Sequence, residues 1–231
     1  MKVTTNTQLI EQRAKWGKRI APVTMLLLIG GLVTNFLSIN NPEYFQITLV
    51  LLTLGFISAI FSSYLVNNWI REPRADQVLT QLLQKFNNDY LLFHYTSSIP
   101  HVLIAPDGLY AIVVKNHDGQ ITINGDRASR KFNWRRLFKF FGDESLGAPI
   151  AEAEGRTKKL HKTLAKSLPS EEIPEIKPMV IFSNKAVDLT VNDPTIPVMK
   201  TSELRSFLRE QGKVRSVSTE QRKKLAEILG G

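Results

Sequence analysis

The chain has 231 residues and a formal net charge of +9, from 30 Lys and Arg against 21 Asp and Glu. That length holds one domain of moderate size and a further segment. Cysteine is absent, which excludes disulfides, thiolate metal sites and a cysteine nucleophile, and the positive charge points to an anionic partner, either nucleic acid or anionic lipid.

Residues 1–20 are a polar, basic segment in which Lys2, Arg13, Lys15, Lys18 and Arg19 stand against one acid, Glu11. Residues 21–39 then run for about the length of a bilayer core, with Thr24, Thr34, Asn35 and Ser38 as the polar interruptions. Asn40-Asn41-Pro42-Glu43 is a turn, and 44–66 is a second long apolar run without a charge. Asn67-Asn68-Trp69-Ile70-Arg71 closes it with an interfacial Trp and a basic residue. A signal peptide is too short to explain the first run, and no small-residue cleavage site follows it. A buried core hairpin is the other rival, and two adjacent uncharged spans stand against it. The expectation is a two-pass transmembrane hairpin over 21–70, with the lipid bilayer as its partner. Lys and Arg flank both outer ends and are missing from the turn, so the positive-inside rule puts the N- and C-termini in the cytoplasm. Gly30, Thr34 and Ser38 share a face, as do Gly55, Ala59 and Ser63; these small residues either pack the hairpin or join two copies. Neither span carries the internal charge that an ion or proton relay uses.

Glu72-Pro73-Arg74 is a linker. Residues 75–86 follow as an amphipathic helix with Val78, Leu79, Leu82, Leu83 and Phe86 on one face, and 90–95 reads as a strand. His101–Ala105 is a β-rich run, Pro106-Asp107-Gly108 is turn chemistry, and 109–114 is an apolar run too continuous for a half-exposed strand, hence a central one. It ends on Lys115-Asn116. A further strand covers 120–124.

Residues 127–141 are the most basic stretch: Arg127, Arg130, Lys131, Arg135, Arg136 and Lys139 alternate with Phe132, Trp134, Phe138, Phe140 and Phe141. Cations among aromatics suit nucleic acid, an anionic membrane surface, or a structural loop whose rings fill the core. Residues 1–74 hold seven of the basic and three of the acidic residues, leaving a net of +5 for 75–231. Pro149 opens a helix whose buried stripe is Ile150, Ala153, Thr157, Leu160 and Leu164. A late strand covers 177–184 and a short one 196–199. Helices follow over 201–211 and 218–229, the last with a Ser218–Gln221 capping box.

The strand–turn–strand at the centre resembles the nuclease-related domain (NERD) family, a branch of the restriction-endonuclease-like fold. The matching residues are His101-Val102-Leu103-Ile104, Pro106-Asp107-Gly108, Tyr110-Ala111-Ile112, Lys115-Asn116 and Gly119-Gln120-Ile121. Residues 147–153 resemble the family's Pro-x-x-Gln-Ala helix start, with Glu152 at the Gln position, and 177–184 resemble its late strand. Trp134 falls where the family often has a Trp. The resemblance covers about 75–210. It implies an α/β fold in which the transmembrane hairpin is followed by a restriction-endonuclease-like domain over 75–211, a central mixed β-sheet flanked by helices, with 212–231 as a C-terminal helix outside it.

The resemblance also implies phosphodiester hydrolysis with Mg²⁺ held by two carboxylates and a Lys supporting the nucleophilic water. Lys115 occupies the Lys position, but Pro100 and Val113 occupy the carboxylate positions. Asp107 does not replace them: a hairpin turning at 106–108 leaves it roughly 20 Å along the strand from 113. His101, His117, Asp118 and Glu152 are nearer candidates, and Asp76 is a loose counterpart of the acid that the family often carries near the start of its first helix. The leading expectation is therefore a catalytically degenerate domain without a cofactor, binding nucleic acid or a protein partner at the membrane. An active Mg²⁺-dependent nuclease with relocated acids such as Asp76, Asp118 or Glu152 is one alternative. A non-enzymatic membrane assembly protein or homo-oligomer is the other.

Overall fold

The structure is a computed structural model and describes residues 1–132 and 145–230. It divides into two compact units. Of the described residues, one unit comprises Met1–Asn6, Ala75–Phe132 and the chain from Ser145; the other contains Thr7–Arg74.

The second unit is a helical hairpin. Helix α1 (Thr7–Leu37) and helix α2 (Tyr44–Leu65) run antiparallel, and α2 continues into a widened turn at Val66–Ile70. At 1.5 Å per residue α1 is about 46 Å long. It begins well before the apolar run, because Thr7–Ile20 is rich in helix formers despite its charge. Both helices are long and apolar enough to cross a membrane. Small residues bring them together: a Cβ at Gly31 would lie 2.5 Å from the Leu52 side chain, and one at Gly55 2.8 Å from Leu28. Hydroxyls pair across the seam, Thr24 with Ser58 at 2.5 Å and Thr48 donating to Thr34 at 2.9 Å. Thr34, Gly55 and Ala59 are thus used within the hairpin or buried beside it. Leu26, Leu32 and Phe36 of α1, with Val50, Ile57 and Phe61 of α2, remain exposed around it.

The first unit is an α/β domain around a six-stranded mixed sheet. Its strands are β1 (Lys2–Thr5), β2 (Leu91–His94), β3 (His101–Ala105), β4 (Gly108–Lys115), β7 (Ile176–Phe182) and β9 (Val198–Lys200), in that order across the sheet. β2–β3 and β3–β4 are antiparallel; β1–β2, β4–β7 and β7–β9 are parallel. The central hairpin turns at Pro106-Asp107, with Ala105 opposite Gly108 and Val102 opposite Ala111. Gly108 has φ +147°, which the turn demands and a side chain resists. A smaller sheet holds β6 (Arg127–Arg130), β5 (Gly119–Asn124) and β8 (Val187–Asn192).

Alternation along β4 sends its side chains into different layers. Tyr110 and Ile112 pack with Leu79 and Leu83 of α3 (Ala75–Leu83) and with Leu204 and Leu208 of α5 (Thr201–Gln211). Leu109 and Ala111 pack with Leu160 and Leu164 of α4 (Pro149–Leu164) and with Leu225 and Leu229 of α6 (Thr219–Gly230). Val113 joins Ile121, Ile123, Ile150 and Ala153, where α4 begins over the smaller sheet. Ser218 and Gln221 cap α6 reciprocally at 3.0 and 3.1 Å.

The sequence reading did not include β1, β6 or β8. It also carried the first domain helix to Phe86, whereas α3 ends at Leu83, after which an Asn87–Asp89 turn leads into β2.

Candidate functional site

Lys115 ends β4 on the same side of the sheet as Val113, so it points toward the start of α4. Its Nζ lies 2.7 Å from Oε2 of Glu152, in the first turn of α4. Oε1 of the same carboxylate accepts from Arg156, one helical turn on. Arg156 also donates to the carbonyl of Ile112 at 3.0 Å, which fastens α4 to β4. Glu152 thus holds two cations with its two oxygens. Burial works to raise its pKa; the Lys115 hydrogen bond and the charges of Arg156 and Lys115 outweigh this and hold it below the usual carboxylate range.

The two carboxylate positions carry no oxygen donor. Val113 is fully buried among apolar neighbours, and Pro100 precedes β3 with its carbonyl bonded to the Tyr95 N–H at 2.8 Å. Among the described residues no three His, Asp or Glu side chains come together as a metal site. A divalent cation of the hard, oxygen-seeking kind needs several such donors, and two cations already neutralise the acid nearest Lys115. These residues do not fit a catalytic metal.

The other acidic candidates are placed elsewhere. Asp118 pairs with the Arg130 guanidinium, whose Nε also donates to the Asp118 carbonyl at 3.0 Å. Asp76 is buried in the first turn of α3, where its charge acts on His94. Asp107, at the turn, accepts from the Tyr110 hydroxyl at 2.5 Å and from Lys177 at 2.7 Å.

His101 stands directly across the ladder from His94. Their Nδ1 atoms are 3.0 Å apart, so one carries the proton and the other accepts it. The Nε2 of His94 meets Thr80 Oγ1 at 3.1 Å. Burial pushes His94 down to about 4 despite the Asp76 charge. Burial, His94 and Arg156 push His101 well below its ordinary value. Both rings are therefore neutral near pH 7, and this buried pair closes one end of the β2–β3 ladder. His117 is also buried.

Of the basic stretch, Arg127 and Lys131 are exposed on and beside β6, next to the outward-facing Gln120, Thr122 and Ser129. Arg130 is committed to Asp118. Trp134, Arg135, Arg136 and Lys139 lie outside the described residues. The sequence reading missed Arg156, although its i,i+4 spacing from Glu152 is an available signal. It also missed His94 and Thr80, whose meeting with His101 depends on strand register.

A family model described as the nuclease-related domain, NERD, matches residues 64–183, over half of the chain. No curated protein and no solved structure matches it. The matched region carries the central hairpin, Lys115 and the start of α4, and the chain belongs to the nuclease-related domain family.

Proposed function

We propose that this protein is a membrane-anchored nuclease-related domain that binds nucleic acid at the cytoplasmic face without hydrolysing it. The observation that supports this reading is the Lys115–Glu152–Arg156 ion cluster, in which the lysine at the family's Lys position is engaged by a carboxylate that a second cation also holds. Hydrolysis by this fold depends on a cation that orients and activates water. A lysine and an arginine clasping one carboxylate do neither; they fasten helix to sheet. What such a domain retains is its shape and its positive charge.

The anchoring half of the reading draws on α1 and α2, whose exposed apolar surface far exceeds that of a soluble monomer. The basic residues at both outer ends of the hairpin, set against a turn with none, favour the cytoplasm for both termini by the positive-inside rule.

The test uses the full chain in lipid nanodiscs, because a fragment beginning at Glu72 lacks β1. Labelled single- and double-stranded DNA and RNA are offered with Mg²⁺ or Mn²⁺, and gel shift and cleavage are read together. Binding without cleavage is expected. Cleavage abolished both by chelator and by Lys115→Ala would establish a rebuilt active site. Absence of both binding and cleavage would transfer the domain to an assembly role with protein partners.

A further inference from the structure

One face of α4 is exposed among the described residues. Ile150, Ala153, Leu160 and Leu164 are fully buried on one side of this helix. On a 3.6-residue period, Lys158, Lys159 and Lys162 fall within an arc of about 100° opposite that stripe, and all three are exposed. Lys166 is exposed too, in the turn that continues α4. None of the four forms an ion pair among the described residues. Toward the N-terminus the same ridge carries Ala151 and Gly155, and a Cβ at Gly155 would meet nothing within 4 Å. The acids of α4 are Glu152, which is neutralised by Lys115 and Arg156, and Glu154, at the flank.

We infer that this lysine ridge is a docking surface for double-stranded nucleic acid, read through its phosphates alone. The inference rests on the nucleic-acid reading above and names its contact residues. From Lys158 to Lys166 the helix and its following turn extend about 12 Å, a length of duplex axis that carries roughly seven phosphate charges on its two strands at ~1.7 Å each. Four flexible ammonium groups in one row match such a line of charge, and each acts as a point charge on a mobile stem. The face lacks an exposed aromatic or large apolar side chain. It therefore has neither a platform on which single-stranded bases would stack nor the apolar wedge of an interfacial membrane helix. Nothing on it reads base edges, so binding is sequence-independent.

The full chain in zwitterionic nanodiscs is titrated with a short mixed-sequence DNA duplex at several salt concentrations, reading fluorescence anisotropy. A variant with Lys158, Lys159, Lys162 and Lys166 all changed to Gln preserves helix propensity. It is expected to bind at least ~10-fold more weakly, with the log–log salt slope reduced by up to about 3.6, near 0.9 per lost contact. Circular dichroism melting checks that it folds; single Lys159→Gln and Lys162→Gln variants, each expected to reduce the slope by about 1, serve if it does not. Wild-type binding that the substitutions leave unchanged in affinity and slope overturns the ridge while the proposed function stands. A wild type that binds no nucleic acid overturns both. Lysine-dependent capture by anionic vesicles in the absence of duplex binding assigns the ridge to lipid and overturns it as a nucleic-acid surface.

Discussion

If the lysine–glutamate contact at the end of β4 is structural, its energy should appear in stability and couple across the pair. Lys115 and Glu152 meet at 2.7 Å with side chains 16% and 36% exposed. An exposed ion pair contributes under ~1 kcal/mol; removing one partner of a buried pair costs about 3–5 kcal/mol. A half-buried cluster lies between. Glu152→Gln leaves Lys115 and Arg156 without their shared counter-charge and should cost about 2 kcal/mol, a fall in Tm of ~4–8 °C for a domain of this size. Lys115→Met leaves Glu152 bonded to Arg156 and should cost about 1 kcal/mol, and the double variant should cost less than the sum, with a coupling near 1 kcal/mol. The assay is chemical denaturation of the full chain, followed by circular dichroism at pH 7. The same measurement at low pH adds a second readout. The Glu152 pKa is held below its ordinary 4.5, so its contribution is present above that value and fades as the pH falls through the lower, folded one. Glu152→Gln should remove that part of the acid sensitivity. Additive single variants, or a Lys115→Met variant of wild-type stability, would refute the structural role and return Lys115 to the list of groups kept for chemistry.

The histidine pair makes a separate prediction at a higher pH. His94 lies at about 4 when folded against 6.5 ordinarily, so the unfolded chain takes up the proton first. Stability should decline by up to about 3 kcal/mol between those values as the pH drops. His94→Gln should flatten the decline, and an unchanged slope in denaturation titrations would show that the pair does not set it. In the hairpin, Thr24 and Ser58 oxygens are 2.5 Å apart in a chain with no cysteine of its own. A Thr24→Cys, Ser58→Cys variant should gain an oxidant-dependent mobility change on denaturing gels, and failure to cross-link would contradict this seam.

The centre of the domain was legible because its signals are local. Pro106-Asp107-Gly108 announces a turn, and the uninterrupted apolar residues of 109–114 announce a strand covered on both faces. The Ser218–Gln221 cap spans only three residues and formed as read. β8 was missed although Val187, Leu189 and Val191 alternate with polar residues in the period of a half-buried strand. β1 offered no such signal. Lys2–Thr5 is four residues long, and its partners at 91–94 are far along the chain. The site divides in the same way. Glu152 and Lys115 each emerged as single candidates, but their contact depends on α4 lying across the end of β4, a tertiary fact. The lysine ridge is periodic in the sequence, yet its exposure follows only once the buried side of α4 is known.

The early position of β1 alters how the domain could be cut free. Its strand lies ahead of the hairpin while the rest of the sheet lies behind it, so the hairpin is an insertion in the domain rather than a tail upon it. A protease that severs Glu72-Pro73-Arg74 leaves β1 covalently joined to the hairpin and still laddered to β2. The domain would stay moored by that strand after a single cut. Release of the intact sheet from the hairpin takes a second cut, near Asn6, so its liberation by limited proteolysis should follow two-hit kinetics.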